Sequence, residues 1–212
     1  MLIRPYEKSD RAAIRDLACA TADAGRPLDW LIPDRVFLAD ILTRYYTDFE
    51  PESSLVADVD GRVAGYLNGC RDSRVWGVRM ARRIVPAAVA LALWRGLLWR
   101  PEIRRLLMLN WREYEWHRRS AAPRMEACPA HLHVNVAPGA RGSGMGAGLL
   151  ERFLATLRQA GVPGVRVSVR ADNTSGLNFF RRHGFEEAAR IPGLRVLPDV
   201  KWTSVILTRR LD

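Results

Sequence analysis

Cysteine is scarce in this chain: Cys19, Cys70 and Cys128 are odd in number and far apart. That excludes a disulfide framework or a cysteine-rich zinc cluster and fits a reducing compartment. No His/Cys/Asp/Glu spacing elsewhere suggests a metal site. The apolar run Ile84–Trp94 stops after 11 residues, short of the roughly 20 that span a bilayer. The opening MLIRPYEKSD lacks the apolar stretch of a signal peptide, so a cytoplasmic protein is expected. Linkers, internal repeats and low-complexity tracts are also missing. With 212 residues and 48% apolar content, one core and one domain over 1–212 are expected.

What the chain has in excess is arginine, and it is unevenly placed. The net charge is +10, and residues 71–126 alone carry 13 Arg against Asp72, Glu102, Glu113, Glu115 and Glu126, a net +8. The same segment holds five of the seven Trp: Trp76, Trp94, Trp99, Trp111 and Trp116. The simplest reading of Ile84–Trp94 is a buried helix with arginines at its rim. A basic, Trp-rich segment could instead rest on an anionic membrane or on RNA, or form a lid or a homodimer surface, where Trp and Arg are enriched. The buried helix and the lid or dimer surface are favoured. No nucleic-acid or membrane partner is therefore expected.

Periodicity outlines the elements. Leu2–Tyr6 reads as a strand, Asp10–Ala24 as a helix capped by Ser9 or Asp10, and Asp34–Asp48 as a second helix after Pro33. Leu55–Val59 and Arg62–Cys70 flank Asp60-Gly61, a strong hairpin signal. The basic segment reads as helical, with a break before Pro86 and another at Pro101. After it come a strand at 131–136, a helix at 143–160 ending at Gly161, and a strand at 165–170. A further helix ends at Gly184 as a left-handed cap, and strands at 186–191 and 202–209 close the chain.

The most telling stretch is His131–Gly148. Leu132, Val134 and Val136 alternate with His131, His133 and Asn135, as in a half-buried strand. Pro138 and Gly139 end it. Arg141, Gly142, Ser143, Gly144, Met145 and Gly146 then lead into an apolar helix face of Leu149, Leu150, Phe153, Leu154 and Leu157. Glycines at a helix start let a ligand approach the backbone where unpaired N–H groups and the positive dipole end attract phosphate. A P-loop is excluded because no Lys-Ser/Thr follows the last glycine. Gly142, Gly144 and Ala147 fit a dinucleotide-binding G-x-G-x-x-A by spacing. That motif, however, follows its strand directly and usually opens a domain, and here Pro138 intervenes after more than half the chain.

The whole stretch resembles the acetyl-CoA signature of the GNAT superfamily of N-acyltransferases, V-x-P-x-x-[RQ]-x-x-G-x-[GA], which runs without mismatch from Val136 to Gly146. Downstream, Asp172-Asn173-Thr174 and Phe179-Phe180-Arg181-Arg182-His183-Gly184-Phe185 fall where the family has a helix cap and [FL]-Y-x-x-x-G-F. The resemblance covers roughly residues 1–70 and 131–212. It implies an α/β fold with a central mixed, mainly antiparallel sheet flanked by helices, with residues 71–128 as a helical insertion between strands 3 and 4. Within the family, PAHLHVNV and its loop are most similar to bacterial acetyltransferases related to the acetyltransferase-like domain of O-GlcNAc hydrolases.

The resemblance also implies acetyl-CoA as cosubstrate, an amine as acceptor, and roles for particular residues. Val134 and Val136 would bond the pantetheine arm through their backbones, one N–H reaching the thioester oxygen. The amides of Arg141, Gly142, Ser143, Gly144, Met145 and Gly146 would hold the pyrophosphate, with charge from Arg141. Asn173 would bind the pantetheine arm, or simply cap its helix. Phe180 stands where the family has the tyrosine that protonates the thiolate, and it has no proton to give. Tyr45, Tyr46 and Tyr66 are candidate substitutes, or the thiolate leaves unaided, since a free thiol titrates near ~8.5. His183 reads as a last-turn cation. For the base, His133 on the polar face of strand 4 is the first candidate and Asp172 the second. A non-catalytic acetyl-CoA-binding module with a basic partner-binding insertion is the competing reading.

Overall fold

Asp60 and Gly61 both take positive φ, 51° and 77°, the backbone of a two-residue hairpin turn whose twist suits its strands. They join β2 (Ser54–Val59) to β3 (Arg62–Cys70). This computed structural model describes residues 1–101, 103–104, 108, 127–191, 195–197, 200–201 and 203–211. Trp111 and Trp116 of the basic segment, and Trp202, lie outside the described residues.

The remaining strands are β1 (Leu2–Pro5), β4 (Ala130–Val136), β5 (Gly164–Arg170), β6 (Glu186–Ile191), β7 (Arg195–Leu197), β8 (Val200–Lys201) and β9 (Ser204–Arg210). Seven of them form one sheet in the order β1-β2-β3-β4-β5-β9-β6, and β7 pairs with β8 separately. Only β4 and β5 run parallel within the seven-stranded sheet. The mixed, mainly antiparallel sheet expected from the resemblance is therefore the one observed.

Alternation decides what each sheet face carries. Leu67, Leu132, Val165, Val167 and Val169 point to one side, where they pack with Leu149, Leu150, Phe153 and Leu157 of α5 (Met145–Gln159) and Leu177 and Phe180 of α6 (Thr174–Arg182). On the other side Val56 and Tyr66 meet Ile14, Leu17 and Ala18 of α1 (Arg11–Thr21). Cys70 meets Tyr45 and Tyr46 of α2 (Arg35–Asp48). Asp34 caps α2 by accepting the Phe37 N–H at 2.8 Å.

The first helix starts later and stops earlier than its sequence suggests. A 3-10 turn, Lys8–Asp10, precedes α1, and Asp23 to Arg26 form a tight turn after it. Asp10 does not cap α1. Its buried carboxylate accepts both terminal nitrogens of Arg4 (2.7 and 2.8 Å) and the Glu7 N–H (2.9 Å). Arg4 holds this carboxyl below its usual range. A depressed folded value means that the stabilisation is full above the ordinary carboxylate pKa, about 3.9, and is lost as pH falls through the lower one. Asp10→Asn should therefore lower stability at neutral pH by about 1–3 kcal/mol, and its melting temperature should converge with the wild type's as the pH is lowered through the acid range.

The basic segment departs from expectation in three ways. Helix α3 (Ser73–Arg79) passes into a π-helical turn, Met80–Ile84, and then into α4 (Val85–Trp94), so there is no break before Pro86. Pro86 sits in the first turn of α4, where its missing N–H costs little. An interruption that was not expected comes at Gly96, φ 67°, ahead of the expected one, where Arg100 is extended just before Pro101. Nor is Ile84–Trp94 a buried helix: Ala88 and Ala92 pack on α2, while Leu93 is 61% and Trp94 83% exposed. Ile84, Ala88 and Ala92 set the packed face, with Leu91 half buried against it, and Val85, Leu93 and Trp94 face outward. Among the described residues no helix is long and apolar enough to cross a membrane.

Candidate active site

Strands β4 and β5 part almost as soon as they meet. Their pairing covers only Ala130↔Val165 and His131↔Arg166, while β3 holds the other edge of β4 from Cys70↔His131 to Gly65↔Val136 and β9 holds β5 along its length. Fixed on their outer edges, the two strands leave a slot that is closed at His131 and open toward Val136. Val134 and Val136 lie along it, side chains half buried against the α5 core. An extended edge of backbone N–H and C=O groups suits a chain that carries amides of its own.

At the open end the chain makes a glycine-rich cradle of a shape suited to an anion. A 3-10 turn at Pro138–Ala140 is followed by Gly142 at φ 80° and by Gly144 at φ 85°, the latter as N-cap of α5. A β-carbon added at either glycine would meet no atom within 4 Å, so it is backbone conformation rather than crowding that calls for glycine here. The N–H groups of residues 142–146 gather at the positive end of a 15-residue helix. Ser143 Oγ donates to Ala140 O at 2.6 Å and fixes the turn, Met145 is buried in the core, and a β-carbon added at Gly146 would lie 3.5 Å from the Phe179 ring. The Arg141 guanidinium is occupied elsewhere. It donates to Gly25 O at 2.8 Å and Val136 O at 3.4 Å, tying the loop to the turn after α1, so what this segment offers an anion is its backbone.

Asn173 does cap α6, its Oδ1 accepting the Gly176 N–H at 2.9 Å. Phe180 is a core residue, packed between Phe179 and Phe185 with ring centroids 5.1 and 5.2 Å away. The residue standing at the family's tyrosine position is thus part of the core. A hydroxyl added there would be buried. Phe180→Tyr should leave turnover no faster and, lacking a partner, cost about 1–3 kcal/mol, read as a lower melting temperature.

The polar face of β4 is where α2, α3 and the sheet converge. His131 Nε2 lies 2.9 Å from Tyr46 Oη and its Nδ1 lies 2.7 Å from Ser73 Oγ. Ser73 Oγ lies 2.6 Å from Pro129 O. A carbonyl can only accept, so Ser73 donates to Pro129 and its oxygen takes the His131 Nδ1–H. In the neutral ring Nε2 then accepts the Tyr46 proton. His133 stands beside this array and is exposed, its ring edge-on to Tyr46 at 5.6 Å and to His131 at 6.1 Å. Ser73 and Trp76, which packs 5.2 Å from His131, belong to the basic segment, which thus contributes directly to this face. Nothing local in the sequence signals them, because Ser73 and His131 are 58 residues apart.

Three groups considered for proton transfer from a tyrosine are already committed. Tyr45 donates to Glu50 at 2.8 Å, Tyr46 to His131, and Tyr66 accepts from Asn135 at 2.8 Å. Burial pushes all three phenols above their ordinary value. Asp172 is displaced as a base. Its side chain is 62% exposed and paired with Arg170, which holds its carboxyl below the usual range and leaves it a weak proton acceptor. Asp23, unremarked in the sequence, accepts Trp30 Nε1 at 3.2 Å and also pairs with Arg170. The turn after α1 is therefore anchored both to the end of β5 and, through Gly25, to Arg141.

A seven-stranded mixed sheet with this slot and this cradle defines a transferase that works on an acyl-CoA. The family model described as Acetyltransferase (GNAT) family matches residues 26–185. The chain belongs to that family, whose members are acyltransferases with acetyl-CoA as cosubstrate. It is similar over 100% of its length, and 98% of the other's, to the solved protein SsHAT, at 29% identity and a TM-score of 0.77. YncA from Salmonella typhimurium, solved with its cofactor acetyl-CoA, matches at 18% identity and 0.60, covering 100% and 94%. A ribosomal-protein-alanine N-acetyltransferase from Brucella melitensis matches at 19% and 0.59, covering 99% of each chain. At such identities the last two speak for the fold alone.

Proposed function

We propose that residues 1–212 act as one N-acetyltransferase domain that moves the acetyl group of acetyl-CoA to the amine of a small molecule or peptide. The observation that carries the reading is the β4–β5 slot running from the cradle at 142–146 to a face bearing His133. In this reading the cradle amides hold the pyrophosphate, the backbones of Val134 and Val136 bond the pantetheine arm, and Asn173 adds its Nδ2, which has no partner among the described residues. The Val134 N–H stabilises the oxyanion on the thioester carbonyl. His133 takes the proton of the incoming ammonium. The amine then attacks the carbonyl, a C–N bond forms, the C–S bond breaks as the nitrogen gives its second proton to solvent, and the sulfur leaves as thiolate to be protonated from solvent. The PAHLHVNV strand supports placement beside the acetyltransferase-like domains of O-GlcNAc hydrolases, and three buried free thiols suit a reducing cytoplasm.

The buried Phe180 favours the competing reading, a binding module without catalysis. Acetyl-CoA binding by calorimetry, together with CoA release over a panel of amines, separates the two. The proposal expects acceptor-dependent release. Tight binding with no acceptor-dependent release would leave only the module.

A further inference from the structure

Strand β5 shows the α5 core a row of valines, Val165, Val167 and Val169. Arg166, Ser168 and Arg170 therefore face the side that carries His131 and His133. The two arginines fare differently. Arg170 is paired with Asp23 and Asp172. Arg166 is half buried, and among the described residues it makes no hydrogen bond or ion pair. Asp72, the carboxylate whose charge acts on it, accepts the Arg74 N–H at 2.8 Å as the cap of α3 and makes no ion pair with Arg166. Burial lowers the pKa of the Arg166 guanidinium despite the pull of Asp72, as for a cation that has lost water and gained no directly bonded carboxylate among the described residues.

Its location gives that cation a use. Arg166 is the register partner of His131 in the last pair before β4 and β5 separate, so it sits at the closed end of the slot. A pantetheine arm laid from the cradle along Val136 and Val134 can go no further than this pair, and its thioester must stop near it. A ligand group held on Arg166 thus lies beside the reacting carbon and the two histidines. A guanidinium is built for bidentate bonding to carboxylate or phosphate.

We propose that Arg166 is the acceptor's anchor, binding a carboxylate or phosphate that the acceptor carries in addition to its amine. This rests on the N-acetyl-transfer reading and names the class of acceptor. Two probe pairs test it: β-alanine against β-alaninamide, and O-phosphoethanolamine against ethanolamine. The wild type should favour the anionic member of one pair by about tenfold or more in kcat/KM, and the pair that responds tells carboxylate from phosphate. In Arg166→Gln that preference should collapse through KM for the acceptor, with KM for acetyl-CoA unmoved. Equal kcat/KM within both wild-type pairs, or a preference that survives in Arg166→Gln, would overturn the proposal. If no amine is acetylated the transfer reading itself fails, and the anchor is then judged by titrating β-alanine and O-phosphoethanolamine into CoA-saturated protein. Binding that Arg166→Gln abolishes sustains the anchor, and no binding to the wild type ends it. Removing an unpaired cation should leave the melting temperature equal or higher, whereas a lower one would assign Arg166 to the fold.

Discussion

Replacing Gly144 by glutamate should weaken acetyl-CoA binding by about a hundredfold or more, close to 3 kcal/mol, while the fold survives. Gly144 is the N-cap of α5 at φ 85°, and an L-residue forced into the left-handed region costs about 1–2 kcal/mol. No atom lies within 4 Å of the added β-carbon, so nothing is displaced. A carboxylate at a helix N-terminus also recovers about 0.3–1 kcal/mol. The loss should therefore fall on the ligand: the new carboxylate occupies the positive helix end and repels a diphosphate from the N–H groups at 142–146. Gly144→Ala introduces the same strain without charge and should lose far less affinity. Calorimetry with CoA decides, and an affinity unchanged in Gly144→Glu would detach this loop from CoA binding.

The features legible in the sequence are those written locally. Asp60-Gly61 needs only two residues to dictate a hairpin, and Val136–Gly146 sets strand, turn and helix start within eleven positions, so both could be read before any tertiary structure was known. The alternation of Leu132 and Val134 with His131 and His133 likewise fixed which residues share a face. What escaped was long-range pairing. The partners of His131 come from α2 and α3, and those of Asp23 and Arg170 are far apart in sequence. That Arg166 makes no ion pair is visible only once Asp72 is seen capping α3.

Three readings meet one obstacle, residue type and position taken without the neighbours that the fold supplies. Ile84–Trp94 looked like a core helix because it is apolar, yet only Ile84, Ala88 and Ala92 are buried and Trp94 stays exposed. Arg141 looked like a phosphate ligand because the motif puts a cation there, yet its guanidinium closes on Gly25. Asp172, chosen for standing next to Asn173, lost its basicity to Arg170, two residues back on β5.

His133→Ala should lower kcat by about 10²–10⁴ and leave acetyl-CoA affinity within about twofold. The separation follows from where the side chain stands. His133 is on the face opposite the α5 core and outside the cradle, so its loss removes neither a backbone donor to the pantetheine arm nor an amide at 142–146. What it removes is an exposed imidazole at the end of the slot, next to an array in which His131 already accepts the Tyr46 O–H at Nε2 and donates its Nδ1–H to Ser73. With both ring nitrogens engaged, His131 is poorly placed to take a proton from an incoming ammonium. If His133 is the base, the wild-type rate should climb between about pH 5 and 8, the range in which histidine changes charge, and the climb should vanish in His133→Ala. His131→Asn breaks the array instead and should disturb stability as well as rate. A pH profile identical in wild type and His133→Ala would clear His133 of the role and leave the acceptor amine to arrive already neutral, deprotonated by solvent before it reaches Arg166 and the thioester.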